Sequence, residues 1–278
     1  ALLGPNGAGK TTTVTLATGL RRPDAGRVRV FGRPPTDAAA RREFALVPQE
    51  LGFPDAVTAA ACLRLVTGQR PDRGRTPPVT ELCERMGLGG LLGRRIGGFS
   101  GGQRRRLAVV LGLAHAPGLV VLDEATTNLD ESSRAQTWQL VREYVARGGA
   151  ALVTSHILAD IEAHADDVVA LAGGRVVLAS PLADVRERLG ADTVSVRLPG
   201  PDAPAVRAVV DARGLGRAVG GPAPGRYSWR TRDPVALVAA IAAVTDGASE
   251  LVVRPTPLGE LLAEVGRAEE GAPCVECC

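Results

Sequence analysis

Three stretches of the chain carry the residue types that could do chemistry. Gly4-Pro5-Asn6-Gly7-Ala8-Gly9-Lys10-Thr11 satisfies G-x-x-x-x-G-K-[ST] at every fixed position. Its glycines let successive backbone N–H groups turn toward one point, and the helix expected after Lys10 aims its positive end there. Lys10 is spaced to reach terminal phosphates, the Thr11 hydroxyl to hold Mg²⁺, and Thr12 to add a phosphate contact. The second stretch is Asp123-Glu124, two adjacent carboxylates after the apolar run Leu119-Val120-Val121-Leu122. Asp123 suits Mg²⁺, and Glu124 suits a general base that polarises an attacking water. The third, Ser100-Gly101-Gly102-Gln103, opens a helix and offers a second anion site.

The elements that must position these groups can be read around them. Ala1-Leu2-Leu3 is the end of a strand feeding the first loop. Val14, Leu16, Ala17 and Leu20 give the helix after it an apolar face, with an end near Gly19 to Arg22. Leu119 to Leu122 is uniformly apolar, as a buried parallel strand is, and ligand sites in open α/β sheets lie beyond the carboxyl ends of such strands. Ala150 to Val153 is a second such strand and leads to His156. Gln49 follows a third, in Ala45-Leu46-Val47-Pro48-Gln49-Glu50.

Together these features resemble the ATP-binding subunits of the ABC superfamily. Phe99-Ser100-Gly101-Gly102-Gln103 is similar to the LSGGQ signature, Gln49 to the Q-loop glutamine, Asp130 in Thr126-Thr127-Asn128-Leu129-Asp130 to the D-loop aspartate, and His156 to the switch histidine. The motifs occur in the family's order over about Ala1 to Leu189. Phe99 stands where the family usually has leucine, and Ala125 where it has proline; both leave the reactive groups in place. The resemblance implies an α/β P-loop cassette, a RecA-like sheet plus a helical subdomain, that binds ATP with Mg²⁺ held by Thr11, Gln49 and Asp123. It implies a head-to-tail pair, most simply a homodimer. In that pair Ser100, Gly101, Gly102, Gln103 and Asp130 of one copy complete the nucleotide site of the other, which uses Gly4, Pro5, Asn6, Gly7, Ala8, Gly9, Lys10, Thr11 and Thr12. Glu124, His156 and Gln49 are then the catalytic residues.

The same resemblance implies a partner permease in the membrane, met through the segment after Gln49, and a peripheral place on the cytoplasmic face. Residues 51–110 are expected to form the helical subdomain within a cassette of 1–190. The run Arg104-Arg105-Arg106 reads as a solvated helix face. A soluble ABC ATPase of DNA repair or translation is the alternative. Ser100 follows Lys10 by only 90 positions and no sustained heptads intervene, unlike repair members with long coiled coils, and one cassette is present where translation members carry two.

Composition fits this frame. The 278 residues are 45% hydrophobic, enough for a core, and no apolar run approaches the roughly 20 residues that span a bilayer. A net charge of +3 does not indicate nucleic acid as a partner. Of five cysteines, Cys62 and Cys83 fall in expected helices as buried thiols, and Cys274, Cys277 and Cys278 lie in a tail, 268–278, expected to be disordered rather than zinc-binding. With no initiator Met, and with the upstream strands and adenine-stacking aromatic of the family missing, the cassette is expected to be N-terminally incomplete, to bind ATP weakly and to fold poorly alone; the Ala1 ammonium is expected to be costly in a buried strand.

Past the Gly173-Gly174 turn and a helix over 182–189, the pattern changes. Strands at 193–198, 217–219, 227–230 and 250–253, with helices at 203–212 and 234–243, give β-α-β-β-α-β, a small ferredoxin-like accessory domain over 191–267. Pro255 to Arg267 resembles the closing helix of ATPases from ABC-2-type exporters, including drug-resistance members of the daunorubicin class. This domain reads as a dimerisation or regulatory appendage, the alternative being a stabilising C-terminal extension with no ligand.

Overall fold

The computed structural model describes residues 1–68, 76–115, 117–189, 192–219 and 224–260. The tail with its three cysteines and most of the expected closing helix lie outside these. The chain divides into two compact units, Ala1–Leu178 and Ala179–Cys278.

In the first unit the elements run β1 (Leu2–Leu3), α1 (Lys10–Ala17), α2 (Ala38–Arg41), β2 (Phe44–Val47), α3 (Ala59–Thr67), α4 (Val79–Arg85), α5 (Gly101–Ala114), β3 (Leu119–Asp123), α6 (Glu131–Ala146), β4 (Ala150–Thr154), α7 (Leu158–His164), β5 (Asp167–Ala172) and β6 (Arg175–Pro181), which ends just past the division. The strands form one sheet in the order β2-β3-β4-β1-β5-β6. The pairings β2–β3, β3–β4, β4–β1 and β1–β5 are all parallel. The two-residue strand β1 is thus inserted between β4 and β5. Leu2, Ala8, Val14, Val121 and Leu171 pack into a core beneath the glycine loop, so the loop rests on buried hydrocarbon. Each fully buried leucine of this kind contributes about 2 kcal/mol. The Ala1 ammonium, expected to be costly at this position, donates to the Asp167 carbonyl at 2.6 Å. Burial pulls its pKa down, while Asp167 and Asp166 oppose that shift.

The helical subdomain is built from α3, α4, two short 3-10 turns (Gly89–Leu91 and Ile96–Gly98) and α5. Thr58 caps α3 by accepting from Ala61 N–H at 3.3 Å. Arg85 of α4 makes a two-pronged ion pair with Glu143 of α6, both contacts 2.8 Å, which ties the subdomain to the sheet's helical layer. Helix α5 runs without a break to Ala114, and a Cβ on Gly112 would lie 2.7 Å from Val47 Cγ2 of β2. Cys83 is buried and Cys62 half-buried, both as thiols.

The second unit contains α8 (Leu182–Leu189), β7 (Asp192–Arg197), α9 (Ala203–Ala212), β8 (Arg217–Val219), β9 (Arg226–Thr231), α10 (Pro234–Ala242) and β10 (Ser249–Pro255). The sheet order is β10-β7-β9-β8, antiparallel throughout. This is the β-α-β-β-α-β arrangement expected from the sequence. Alternation explains its faces: Val194 and Val196 enter the core with Val206, Val210, Trp229, Leu237 and Ile241, while Thr193 and Ser195 point to the other side. No helix among the described residues is long and apolar enough to cross a membrane.

Candidate active site

Sheet register brings the reactive residues to one edge. Asp123 lies opposite Thr154 on β4, Thr154 opposite Leu2 on β1, and Leu2 opposite Val169 on β5. One row back, Val47, Leu122 and Val153 are aligned. The phosphate loop therefore leaves the sheet two residues beyond this row, Glu124 one residue beyond it, His156 two, and Gln49 two beyond Val47.

The loop's shape depends on its glycines. Gly9 takes φ 103° directly before α1, and Gly7 φ 81°. Gly4 has φ 150°, and a Cβ there would meet the Leu171 carbonyl oxygen at 2.5 Å. Ala8 is buried and its N–H closes a turn onto the Pro5 carbonyl at 3.2 Å. The Lys10 ammonium lies across the loop, donating to the carbonyls of Gly4 at 2.7 Å and Pro5 at 3.0 Å. Thr11 and Thr12 are exposed on the first turn of α1, with Asn6 at the tip of the loop.

The carboxylate pair is held by Thr154. Its hydroxyl donates to Asp123 Oδ1 at 2.5 Å and accepts from Glu124 N–H at 3.0 Å, and its carbonyl shares that N–H at 3.1 Å. These bonds fix Glu124 in a left-handed conformation, φ 51°, which costs a side-chain-bearing residue on the order of 1–3 kcal/mol. Glu124 Oε2 accepts from Thr127 Oγ1 at 3.2 Å and from His156 Nδ1 at 3.0 Å. Asp123 is buried, Glu124 is largely covered, and His156 is open to solvent. Glu124 and His156 are thus in direct contact, while Gln49 is exposed at the same sheet edge. The cation donors expected here, the Thr11 hydroxyl, the Asp123 carboxylate and the Gln49 amide, are all oxygens, as Mg²⁺ prefers. α1, which carries Thr11, packs against β3, which ends in Asp123.

The second anion site stands apart within one chain. Ser100 is the N-cap of α5: its Oγ accepts from Gln103 N–H at 3.2 Å while Gln103 Oε1 accepts from Ser100 N–H at 2.9 Å. The Ser100 hydroxyl hydrogen is left to donate outward. Gly102 faces the Asn128 carbonyl, which places the signature helix start beside the D-loop. Asp130 caps α6, accepting from Ser133 N–H at 2.9 Å and Ser133 Oγ at 2.7 Å; these bonds hold it below the usual carboxylate range. No described hydrogen bond joins 100–103 to the phosphate loop of the same chain.

One expectation is overturned. The run Arg104-Arg105-Arg106 is not a solvated face. Arg105 is buried and donates to the carbonyls of Pro48 at 2.8 Å and Gln49 at 2.5 Å. Arg104 pairs with Asp55 at 3.1 Å, and Arg106 Nε is buried. Arg105 and Thr154 are the supporting residues that motif reading missed. The signal for Arg105 was its helical phase: it is in line with Ala108, Val109 and Gly112, the face turned inward.

A six-stranded mainly parallel sheet with a phosphate loop, a paired carboxylate, a contacting histidine and a separate glycine-rich helix start defines a nucleotide-dependent P-loop ATPase. The family model described as ABC transporter matches residues 1–127. The chain is 34% identical over 212 residues to the Nod factor export ATP-binding protein I of Burkholderia orbicola, covering 74% of this chain and 69% of the relative. It is 35% identical over 202 residues to the daunorubicin/doxorubicin resistance ATP-binding protein DrrA of Streptomyces peucetius, covering 71% of this chain but only 61% of that relative's length. A solved structure of an ATP-binding subunit of an ABC transporter superposes with TM-score 0.63 at 29% identity, over 67% of this chain and 80% of that one. The chain belongs to the ABC transporter family, as an ATP-binding subunit.

Proposed function

We propose that this chain hydrolyses ATP to power an exporter, working as a head-to-tail pair against a separate membrane permease at the cytoplasmic face. The observation that carries the reading is the flush sheet edge, where the phosphate loop, Asp123-Glu124 and His156 emerge from one row of paired residues. The export direction is supported by the names of the Nod factor and daunorubicin relatives, although a molybdenum import ATP-binding protein is also 34% identical.

In this reading the loop N–H groups and Lys10 bind the β- and γ-phosphates. Glu124, oriented by Thr127 and by its strained backbone, accepts a proton from the attacking water. His156 sits against that carboxylate and orients it. A Mg²⁺ ion, held by Thr11, Asp123 and Gln49, would neutralise charge developing on the transferred phosphoryl oxygens. Ser100, Gly101, Gly102 and Gln103 of a second copy close over the γ-phosphate, and Asp130 lies beside that junction. The groove lined by Phe44, Leu46, Leu51, Phe53, Leu111 and His115, about 390 Å³, receives the permease contact directly behind Gln49.

The test is Glu124→Gln. Turnover should fall by about 10²–10⁴-fold, the usual worth of a positioned base, while ATP-bound pairs accumulate in sizing experiments. Turnover near that of the parent chain would remove Glu124 from its role. Copurification with an integral membrane protein supports the permease; association with ribosomes or DNA ends in its place overturns it.

A further inference from the structure

Helix α7 does not hold itself in place. It has seven residues, no side-chain bond at its N-cap and one buried side chain, Ile161. Helices this short are marginal without tertiary contacts. Its placement matters because the turn entering it carries His156, whose Nδ1 lies 3.0 Å from Glu124 Oε2.

The neighbouring helix α6 is far better anchored. It has sixteen residues, is capped by Asp130, and buries Thr137, Trp138, Leu140, Val141 and Tyr144. Every fourth residue along one of its faces reaches α7 or the turn after it. Arg134 Nε lies 3.7 Å from Asp160 Oδ1. The Trp138 and His164 rings stack, with centroids 4.8 Å apart and planes 16° from parallel. Arg142 Nη1 donates to the His164 carbonyl at the end of α7, at 3.2 Å, and faces Asp166 at 3.9 Å. Both sets of partners ascend in the same order, so the two helices run side by side in one direction.

Each rung fixes a different part of α7. Asp160 is one helical turn beyond His156, and its Oδ2 is buried without a hydrogen-bond partner among the described residues, so Arg134 is the cation that compensates this carboxylate. The Trp138 indole N–H is also buried without such a partner, and the indole meets His164 through its ring face, a contact that sets distance and angle. Burial lowers the His164 pKa, against the pull of Asp160 and with the help of Arg142, so a neutral imidazole lies on the indole at neutral pH.

We propose that Arg134, Trp138 and Arg142 are positioning residues for His156: by holding α7 against α6 they keep the His156 imidazole on the Glu124 carboxylate. The inference rests on the catalytic reading of Glu124 and His156. Because α6 starts at Asp130, the same contacts tie Asp130 and His156 to one pair of packed helices.

The test uses the 278-residue chain with carbon-13 in the rings of its three histidines, which gives one NMR signal for each. The variant Arg134→Gln/Arg142→Gln removes two rungs at partly exposed side chains. Its His156 signal should move from the parent position, although neither side chain bonds His156. The kcat for ATP hydrolysis should fall by about tenfold with KM unchanged, a part of the roughly 10²-fold that a 1 Å misplacement can cost. Arg134→Gln alone should give a smaller change of both kinds, and Arg134→Lys, which keeps the charge beside Asp160, should recover most of that loss. Two controls should leave the His156 signal and kcat at parent values: Glu143→Gln, on the side of α6 that faces α4, and the charge-matched Arg207→Gln/Arg213→Gln in the second unit. Melting curves establish that each variant is folded. An unmoved His156 signal in the folded double variant, a moved signal with parent kcat, or equal shifts in the controls overturns the proposal. Failure of the catalytic reading is a separate result, parent-like turnover in Glu124→Gln.

Discussion

Arg105 Nη2 donates to the Gln49 carbonyl at 2.5 Å, so helix α5, which begins at the Ser100 cap, is fastened to the turn that carries Gln49. The second fork of the same guanidinium takes the Pro48 carbonyl. Burial pulls the Arg105 pKa down, and the charges of Glu124 and Asp123 oppose that shift.

Arg105→Leu should therefore do two things. Two carbonyls lose a charged donor, which should destabilise the chain by about 1–3 kcal/mol. Gln49 should also lose its fixed position, lowering ATP turnover more than ATP binding. Arg105→Lys keeps the charge but not the fork and should recover only part of either effect. Urea unfolding and steady-state hydrolysis, measured side by side, check both; unchanged turnover in Arg105→Leu would refute the positioning role.

Thr154→Val isolates the support under the carboxylates. The substitution keeps the shape but removes the hydroxyl that bridges Asp123 Oδ1 and Glu124 N–H. A loss of about 1–3 kcal/mol is expected from the unsatisfied partners, together with slower hydrolysis. Denaturant melts and hydrolysis rates measure the two effects.

Gly4→Ala should be far more damaging than Gly7→Ala. Gly4 has the Leu171 carbonyl oxygen 2.5 Å from where a Cβ would be, whereas Gly7 has open space. Gly7→Ala pays only for its left-handed backbone, about 1–2 kcal/mol. Gly4→Ala must in addition displace β5 backbone, and nucleotide binding should vanish with it. Fluorescent-nucleotide titration of the two variants gives the comparison.

The Arg85–Glu143 pair makes a pH prediction. The hydrogen bonds from Arg85 hold the Glu143 carboxyl below the usual carboxylate range. A carboxylate depressed in the folded state stabilises above its unfolded pKa of about 4.3 and loses that contribution as pH falls through the lower folded value. Glu143→Gln should cost about 1 kcal/mol at neutral pH, and the difference from the parent should shrink with acidification below about pH 4. Thermal melts of both chains across that range measure it.

Sequence reading singled out the phosphate loop, the carboxylate pair and the glycine-rich helix start because each is a contiguous pattern whose chemistry demands those residues, and His156 only through the family resemblance that all the motifs carry together. It placed the elements of the second unit closely, since alternation in Val194 and Val196 and helical spacing in Val206 and Val210 are local signals. It could not place β1 between β4 and β5, nor the row joining Asp123, Thr154 and Leu2, because register depends on partners far away in the chain. Arg105 was hidden by its neighbours: three arginines in succession look alike, and only the helical phase separates the buried one.

The absence of a side chain at Gly112 has a mechanical meaning. Helix α5 and β2 come close where Gly112 meets Val47, and Arg105 of α5 bonds the two carbonyls, of Pro48 and Gln49, that directly follow β2. Two contacts along one line leave no room for bending between them. α5 is thus joined to β2 and to the turn after it at two levels, with residues 100–103 at one end of the helix and the groove behind Gln49 along its length.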